Sequence, residues 1–176
     1  MTETILDLHE IQGAEERVRR IFSGDALTAD GGDQYAVLDT VTLDLRVRKD
    51  GAKYTLVGRL DGVLELACCR CLEPVRQIVG VEVDLLYLPS SENTGDGDVQ
   101  IEESDLSTAF YRDEQIDLGR LMHEQFQLSL PMKPLCREEC QGLCAVCGGN
   151  RNATKCDCEE TWVDPRLAGL KSLLDQ

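Results

Sequence analysis

Six cysteines lie close together in the last fifth of the chain, with the spacing of a metal site. Between residues 134 and 164 they follow the pattern Cys-x3-Cys-x3-Cys-x2-Cys-x8-Cys-x-Cys: Cys136, Cys140, Cys144, Cys147, Cys156 and Cys158. Structural zinc is usually held by four such ligands in tetrahedral geometry, each thiolate about 2.3 Å from the ion. Gly148 and Gly149 follow the Cys-x-x-Cys pair and permit the sharp turn that it needs. The stretch is therefore predicted to bind zinc.

The pair Cys144 and Cys147 needs two further thiolates to complete a site. The nearest downstream are Cys156 and Cys158, and Cys136 and Cys140 are the alternative pair. Disulfides are less favoured, because clustered cysteines in a cytosolic chain are typically metal ligands or redox groups. The spacing also differs from those of ferredoxin iron–sulfur sites.

A second Cys-x-x-Cys, formed by Cys68 and Cys71, lies between two predicted strands. Together with Cys136 and Cys140 it would make a second four-thiolate site, with Cys69 left over. The alternative is that Cys68 only continues the apolar face of its strand. Both interpretations stay open at this point.

Length, charge and composition limit the classes of protein that this chain can belong to. The chain has 176 residues and a formal net charge of −15. That charge argues against a protein that coats nucleic acid, and no basic helix accompanies the cysteines as in DNA-binding zinc proteins. The segment 91–117 carries nine acids and one base. The start of the chain lacks a basic end and a long apolar run, which predicts a cytoplasmic protein without a membrane segment.

Three runs of alternating apolar residues predict a sheet between residues 37 and 88. They cover 37–47, 54–66 and 75–87, with a turn signal at residues 49–51. Consecutive long strands predict an antiparallel meander with one buried face. We therefore expect an α+β fold in which a long, coiled sheet closes toward a barrel and helices pack on it. Gly58 and Gly62 are expected at bulges or bends.

Helices are predicted at three places. Residues 14–22 have apolar side chains at helical spacing. Asp117 is placed to cap a helix with Leu118, Leu121, Met122 and Phe126 on one face. Asp164 and Pro165 begin a short C-terminal helix. We divide the chain into a domain of residues 1–133, with an acidic loop at about 90–113, and a cysteine-rich zinc module of residues 134–176.

Catalytic motifs are missing from the sequence. It has no Gly-rich phosphate loop, nucleophile elbow or His-Glu zinc protease motif. All-thiolate zinc sites are usually structural. The chain is therefore not expected to be an enzyme. The alternative is a cytosolic thiol redox protein that uses Cys68 and Cys71, although a redox dithiol normally begins a helix and this one lies at a predicted hairpin tip.

Two motifs resemble those of a bacterial family. Cys68-x-Arg70-Cys71-Leu72-x-Pro74 is similar to the Cys-x-Arg-Cys motif of the YceD family, the large ribosomal RNA subunit accumulation proteins. The run from Cys136 through Gly142-Leu143-Cys144-x2-Cys147-Gly148-x-Asn150-x-Asn152 to Cys156-x-Cys158, followed by Asp164-Pro165-Arg166, resembles the cysteine-rich tail of many members. The resemblance covers most of the chain from about residue 37 onward.

The resemblance implies a non-enzymatic role in ribosome biogenesis, in the accumulation of large-subunit ribosomal RNA. It implies no mechanism at the level of residues. From the charge we expect a ribosomal protein or a pre-ribosomal ribonucleoprotein as partner, attracted by the acidic segment 91–117, rather than naked RNA, DNA or a membrane. Arg70 and Arg151 are the candidate partner-binding residues.

Overall fold

The computed structural model describes residues 4–27, 35–92 and 106–158. The C-terminal helix expected from Asp164 and residues 93–105 of the acidic segment fall outside these ranges. The elements are β1 (Ile5–Asp7), a 3-10 turn (Leu8–Glu10), β2 (Glu15–Ser23), α1 (Gly24–Leu27), β3 (Tyr35–Asp50), β4 (Lys53–Ala67), β5 (Pro74–Pro89), a second 3-10 turn (Ser90–Glu92), β6 (Thr108–Tyr111), β7 (Gln115–Asp117) and α2 (Leu118–Ser129).

Strands β3, β4 and β5 form the antiparallel meander that the alternating pattern predicts. Gly51 turns the chain between β3 and β4 with a φ of +60°, a conformation that glycine adopts without a Cβ clash. The apolar side chains of one parity lie on the buried face: Val41, Leu43, Leu45, Val47, Tyr54, Leu56, Leu60, Leu64, Val79, Val83 and Tyr87. Burial of this face against α2 and β1 makes the core.

Gly62 lies against Phe126 of helix α2. The register of β3 on β4 shifts between Leu38 and Thr42, opposite Gly62, whereas it is continuous at Gly58. A Cβ atom at Gly62 would stand 3.3 Å from Phe126 Cζ and 3.3 Å from a methyl group of Val41. The missing side chain therefore makes room for the helix on the sheet.

The helix expected at residues 14–22 is wrong, because this segment is strand β2, paired with β3 along its whole length. Val18, Arg20 and Phe22 point toward the core side, and Ile21 is 63% exposed. The apolar spacing of Val18, Ile21 and Phe22 fits a helix only if Ile21 is buried. Pairing with the edge of the long strand β3 makes the segment a strand despite its local pattern.

The expected closure toward a barrel is also wrong for the described part of the chain. The main sheet has the order β2-β3-β4-β5-β6, with β2 and β6 at opposite edges. Strand β6 joins β5 in parallel, so the sheet is mixed rather than purely antiparallel. Helix α2 and the separate β1–β7 pair fill the hollow of the coiled sheet, and this packing replaces contact between its two edges.

Asp117 caps helix α2 as predicted, since its side chain accepts a hydrogen bond from the Arg120 N–H at 3.0 Å. Leu118, Leu121, Met122 and Phe126 are buried, as predicted. The expected acidic loop at about 90–113 is shorter than predicted, because strand β6 lies within it.

Candidate metal centres

The turn between β4 and β5 gathers backbone N–H groups around a thiol. The Cys68 N–H donates to Glu73 O at 2.9 Å, and the Leu72 N–H donates to Cys68 O at 2.9 Å. Leu72 takes a φ of +63°, which costs a non-glycine residue about 1–2 kcal/mol. This turn directs the N–H groups of Cys71 and Arg70 at the Cys68 sulfur.

A second turn repeats this geometry near the end of the described chain. The Cys144 N–H donates to Gly149 O at 2.8 Å, and the Gly148 N–H donates to Cys144 O at 2.9 Å. Gly148 has a φ of +71° and corresponds to Leu72 of the first turn. We call the two turns the hairpin knuckle (residues 68–73) and the C-terminal knuckle (residues 144–149). The sequence shows the two Cys-x-x-Cys pairs but not their shared turn geometry, because leucine stands at the first positive-φ position.

Each knuckle belongs to a set of four thiols whose sulfur atoms all lie within 4.8 Å of one another. The hairpin tetrad is Cys68, Cys71, Cys136 and Cys140, and the C-terminal tetrad is Cys144, Cys147, Cys156 and Cys158. Both sets could hold a metal ion. Cys69 belongs to neither tetrad.

Distances in the hairpin tetrad fit a tetrahedral thiolate site. Cys68 Sγ lies 3.8 Å from Cys140 Sγ, and Cys71 Sγ lies 3.6 Å from Cys136 Sγ. Four sulfurs at about 2.3 Å from one zinc ion are spaced about 3.8 Å apart, whereas a disulfide needs about 2.05 Å. Cys68, Cys71 and Cys140 also form a small buried cluster with Val75 and Leu135 packed against it, whereas Cys136 is exposed.

The first thiol of each knuckle has a lowered pKa. The Cys71 N–H, assisted by the Arg70 N–H, lowers the pKa of Cys68 to about 6 against the effect of burial. The N–H groups of Cys147 and Val146 lower the pKa of Cys144 to about 6 in the same way. Hydrogen bonds to a thiolate stabilise its charge. Each tetrad therefore contains one thiolate near neutral pH before any metal arrives.

Other thiols of the tetrads keep their protons. Cys136 is exposed as a residue, but local desolvation of its sulfur, followed by the neighbouring thiols, raises the pKa of Cys136 to about 12, and the Cys147 side chain raises the pKa of Cys158 to about 12. Cys71 and Cys156 have raised pKa values as well. In each tetrad a thiolate therefore accepts hydrogen bonds from neighbouring protonated thiols. A divalent cation can bind such a set by displacing those protons.

Asn152 links the two tetrads, a role that spacing does not reveal. Its amide Nδ2 donates to Cys140 Sγ at 3.2 Å, and its Oδ1 accepts from the Gln141 N–H at 2.9 Å. Asn152 lies in the loop between Cys147 and Cys156 but orients a ligand of the hairpin tetrad. Although burial alone would raise the pKa of Cys140, this bond and the Gly142 N–H bring it below its usual value. The only signal in the sequence is the Asn150-x-Asn152 motif.

The cysteine-rich segment also bonds to the hairpin through its backbone. The Cys69 N–H donates to Pro134 O at 2.8 Å, and the Leu143 N–H donates to Arg70 O at 3.0 Å. Arg70 Nη1 donates to Cys140 O at 2.8 Å. The Arg151 side chain is exposed. Arg70 therefore joins the cysteine-rich segment to the β4–β5 turn by hydrogen bonds. A contact of Arg70 or Arg151 with a partner stays a prediction.

A family model matches residues 56–174, which include most of β4, all of β5 and helix α2, and both tetrads. Its description is "Large ribosomal RNA subunit accumulation protein YceD". The chain belongs to the YceD family. Two of its relatives are uncharacterized proteins of Mycobacterium tuberculosis and Mycobacterium bovis, each 34% identical over 81% of this chain and 64% of the relative. A YceD homologue of maize, described as a chloroplastic large ribosomal RNA subunit accumulation protein, is 28% identical over 57% of this chain and 44% of the relative.

The YceD chain described here thus spans just under two thirds of the length of its mycobacterial relatives. No solved structure gives a significant match. In the described residues, the helices are too short or too polar to cross a bilayer. Membership of the family agrees with the resemblance carried by the two cysteine motifs, and the name of the family points to the accumulation of large-subunit ribosomal RNA.

Proposed function

We propose that this protein is a non-enzymatic ribosome-biogenesis factor that supports accumulation of large-subunit ribosomal RNA and is stabilised by two structural zinc ions. The observation that carries the proposal is the pair of tetrads inside the segment matched by the YceD family. The hairpin tetrad would take one ion through Cys68, Cys71, Cys136 and Cys140. The C-terminal tetrad would take the other through Cys144, Cys147, Cys156 and Cys158.

Zinc is the metal favoured by this donor set. Soft thiolates select zinc, copper(I) or iron–sulfur clusters, and zinc forms closed four-thiolate sites whose role is structural. Zinc in the hairpin tetrad would bind the cysteine-rich segment to the β4–β5 turn. We further propose a domain boundary at residue 133. The module of residues 134–176 would be attached to the sheet through the hairpin tetrad. A cytoplasmic location is proposed because a reducing compartment preserves thiols.

The proposed partner is a pre-ribosomal ribonucleoprotein that presents a basic ribosomal protein. Segment 91–117 carries nine acids and one base. Attraction between such a segment and a basic protein accelerates association and weakens with salt. The partner contact by Arg70 and Arg151 belongs to the same proposal.

The role is tested by deleting the gene in the source organism and measuring the ratio of large- to small-subunit ribosomal RNA. We expect the ratio to fall and to be restored by the wild-type chain and by Cys69→Ser, but not by Cys71→Ser. An unchanged ratio in the deletion strain would contradict the proposed role. Binding of purified basic ribosomal proteins at two salt concentrations, with and without residues 91–105, tests the partner.

A thiol redox protein is the second candidate, favoured by the lowered pKa of Cys68. Against it stand the complete burial of Cys68 and the position of Cys140 Sγ at 3.8 Å. Alkylation in the presence and absence of a chelator separates the two functions. We expect the tetrad thiols to react only after chelation. Fast reaction of Cys68 in the metal-loaded protein would favour redox chemistry.

A further inference from the structure

Arginines collect on the solvent face of strands β2, β3 and β4, opposite the buried core. Two adjoining grooves on this face are lined by five arginines and three acids: Arg17, Arg19, Arg46, Arg48, Arg59, Glu15, Asp44 and Asp61. The chain as a whole has 33 acids and only 18 basic residues. The balance of charge on this face is therefore the reverse of that of the whole protein. We call it the arginine face.

Like charges are placed directly opposite one another on the arginine face. Arg17 of β2 pairs in register with Arg46 of β3, which brings two guanidinium stems onto neighbouring positions of the same surface. Arg48 follows two residues along β3, opposite Glu15, and Arg59 on β4 lies opposite Asp44. The like-charge pair of Arg17 and Arg46 destabilises a sheet, so stability alone does not account for that pair.

Only part of this charge is neutralised within the protein. Arg17 forms an ion pair with Asp44 at 2.6 Å, and Arg59 pairs with Asp61 at 2.8 Å. Arg46 and Arg48 are exposed and have no ion pair among the described residues. Both can therefore contact an anion without breaking an internal bond.

The larger groove of the arginine face has room for the phosphate groups of a nucleic-acid backbone. The larger groove has a volume of about 500 Å³, and Thr42, Val57 and Gly58 form its uncharged lining. Guanidinium groups bind phosphate oxygens through two parallel N–H donors. In the described parts of β2, β3 and β4, the outward positions carry no aromatic side chain for base stacking. Recognition would therefore involve the backbone and not the bases.

We propose that the arginine face binds the phosphate backbone of RNA independently of sequence, with Arg46 at its centre. The proposal rests on the proposed function for the choice of RNA over other polyanions. This contact between the arginine face and RNA would act together with the contact between the acidic segment and a basic protein. A ribonucleoprotein offers both a basic protein and an RNA backbone. The net charge of −15 repels RNA at long range, whereas the arginine face acts at contact distance.

The test uses the metal-loaded full chain, an oligouridylate and a mixed-sequence RNA duplex. The variant Arg46→Ala/Arg48→Ala is compared with wild type and with Arg112→Ala/Lys133→Ala, which removes the same charge from exposed positions outside the face. For single-stranded RNA, removing two phosphate contacts should reduce the slope of log affinity against log salt by about 1.4. Between about 50 and 200 mM salt, wild type should then lose about seven times more affinity than the variant. The control should keep the wild-type slope.

Three results would overturn the proposal. The first is no binding of either RNA by wild type, and the second is equal affinity and slope in wild type and Arg46→Ala/Arg48→Ala. The third is that poly-glutamate competes as well as RNA, which would assign the face to an acidic protein. Metal content and circular dichroism of each variant show that it is folded. A negative result in these RNA-binding assays would not change the ribosomal RNA ratio expected for the deletion strain. The proposed function is therefore tested separately.

Discussion

Asn152 donates a hydrogen bond from its side-chain amide to the sulfur of Cys140 at 3.2 Å. The donor lies in the loop of one tetrad and the acceptor is a ligand of the other. Because hydrogen bonds from outside the ligand set orient a thiolate and tune its basicity, we expect zinc binding by the hairpin tetrad to depend on a residue of the loop between Cys147 and Cys156.

We expect Asn152→Ala to lower the zinc affinity of the hairpin tetrad by about 10- to 100-fold. Zinc transfer to a chelator is measured with the C-terminal site intact, and the curve of Cys71→Ser, which lacks the hairpin site, identifies the step that belongs to the hairpin tetrad. Arg151→Ala is the matched control, since its backbone N–H still donates to Gly142 O. Equal zinc affinity in Asn152→Ala and Arg151→Ala would show that the amide has no effect on the metal.

Phe126 is expected to carry much of the contact between α2 and the sheet. It is 1% exposed and packs at Gly62 and against Tyr35. Phe126→Ala should reduce the free energy of unfolding by about 3–5 kcal/mol. Leu128 lies on the same helix and is 80% exposed, so Leu128→Ala should change it by less than about 0.5 kcal/mol. Urea unfolding with excess zinc measures both, and similar values for the two variants would contradict the packing.

Zinc affinity should fall as the pH is lowered, because protons compete for thiolates. The pKa values of Cys68 and Cys144 are lowered to about 6. A depressed pKa keeps a group charged above that value, so these two thiolates resist protonation until the pH falls through 6. The decline should therefore steepen below about pH 6. Chelator competition from pH 8 to 5.5 measures it, and a constant affinity over that range would exclude thiolate ligands.

The sequence predicted those parts of the fold where side-chain pattern and packing agree. Leu43, Leu60 and Val83 alternate with polar neighbours, and all three lie on the buried face. The pattern failed for β2, because its pairing with β3 is a long-range contact that local spacing does not encode. The parallel addition of β6 to β5 was missed for the same reason.

For the candidate sites, cysteine spacing predicted the ligand types but left the pairing open. Cys136 could have served either knuckle until the fold placed it 3.6 Å from Cys71. The arginine face was missed because Arg17 and Arg46 are far apart in the sequence and become neighbours only through the register of β2 on β3. Total charge concealed this local reversal of sign.

Native mass spectrometry of the purified chain tests the central claim most directly. We predict two zinc ions per wild-type chain and per Cys69→Ser chain, because Cys69 lies outside both tetrads. Cys71→Ser and Cys147→Ser should each retain one ion, and Cys147→Ser should unfold only the C-terminal knuckle, since Cys136 and Cys140 stay with the hairpin tetrad. A folded wild-type chain without zinc and without disulfides, or a loss of zinc in Cys69→Ser, would contradict the account.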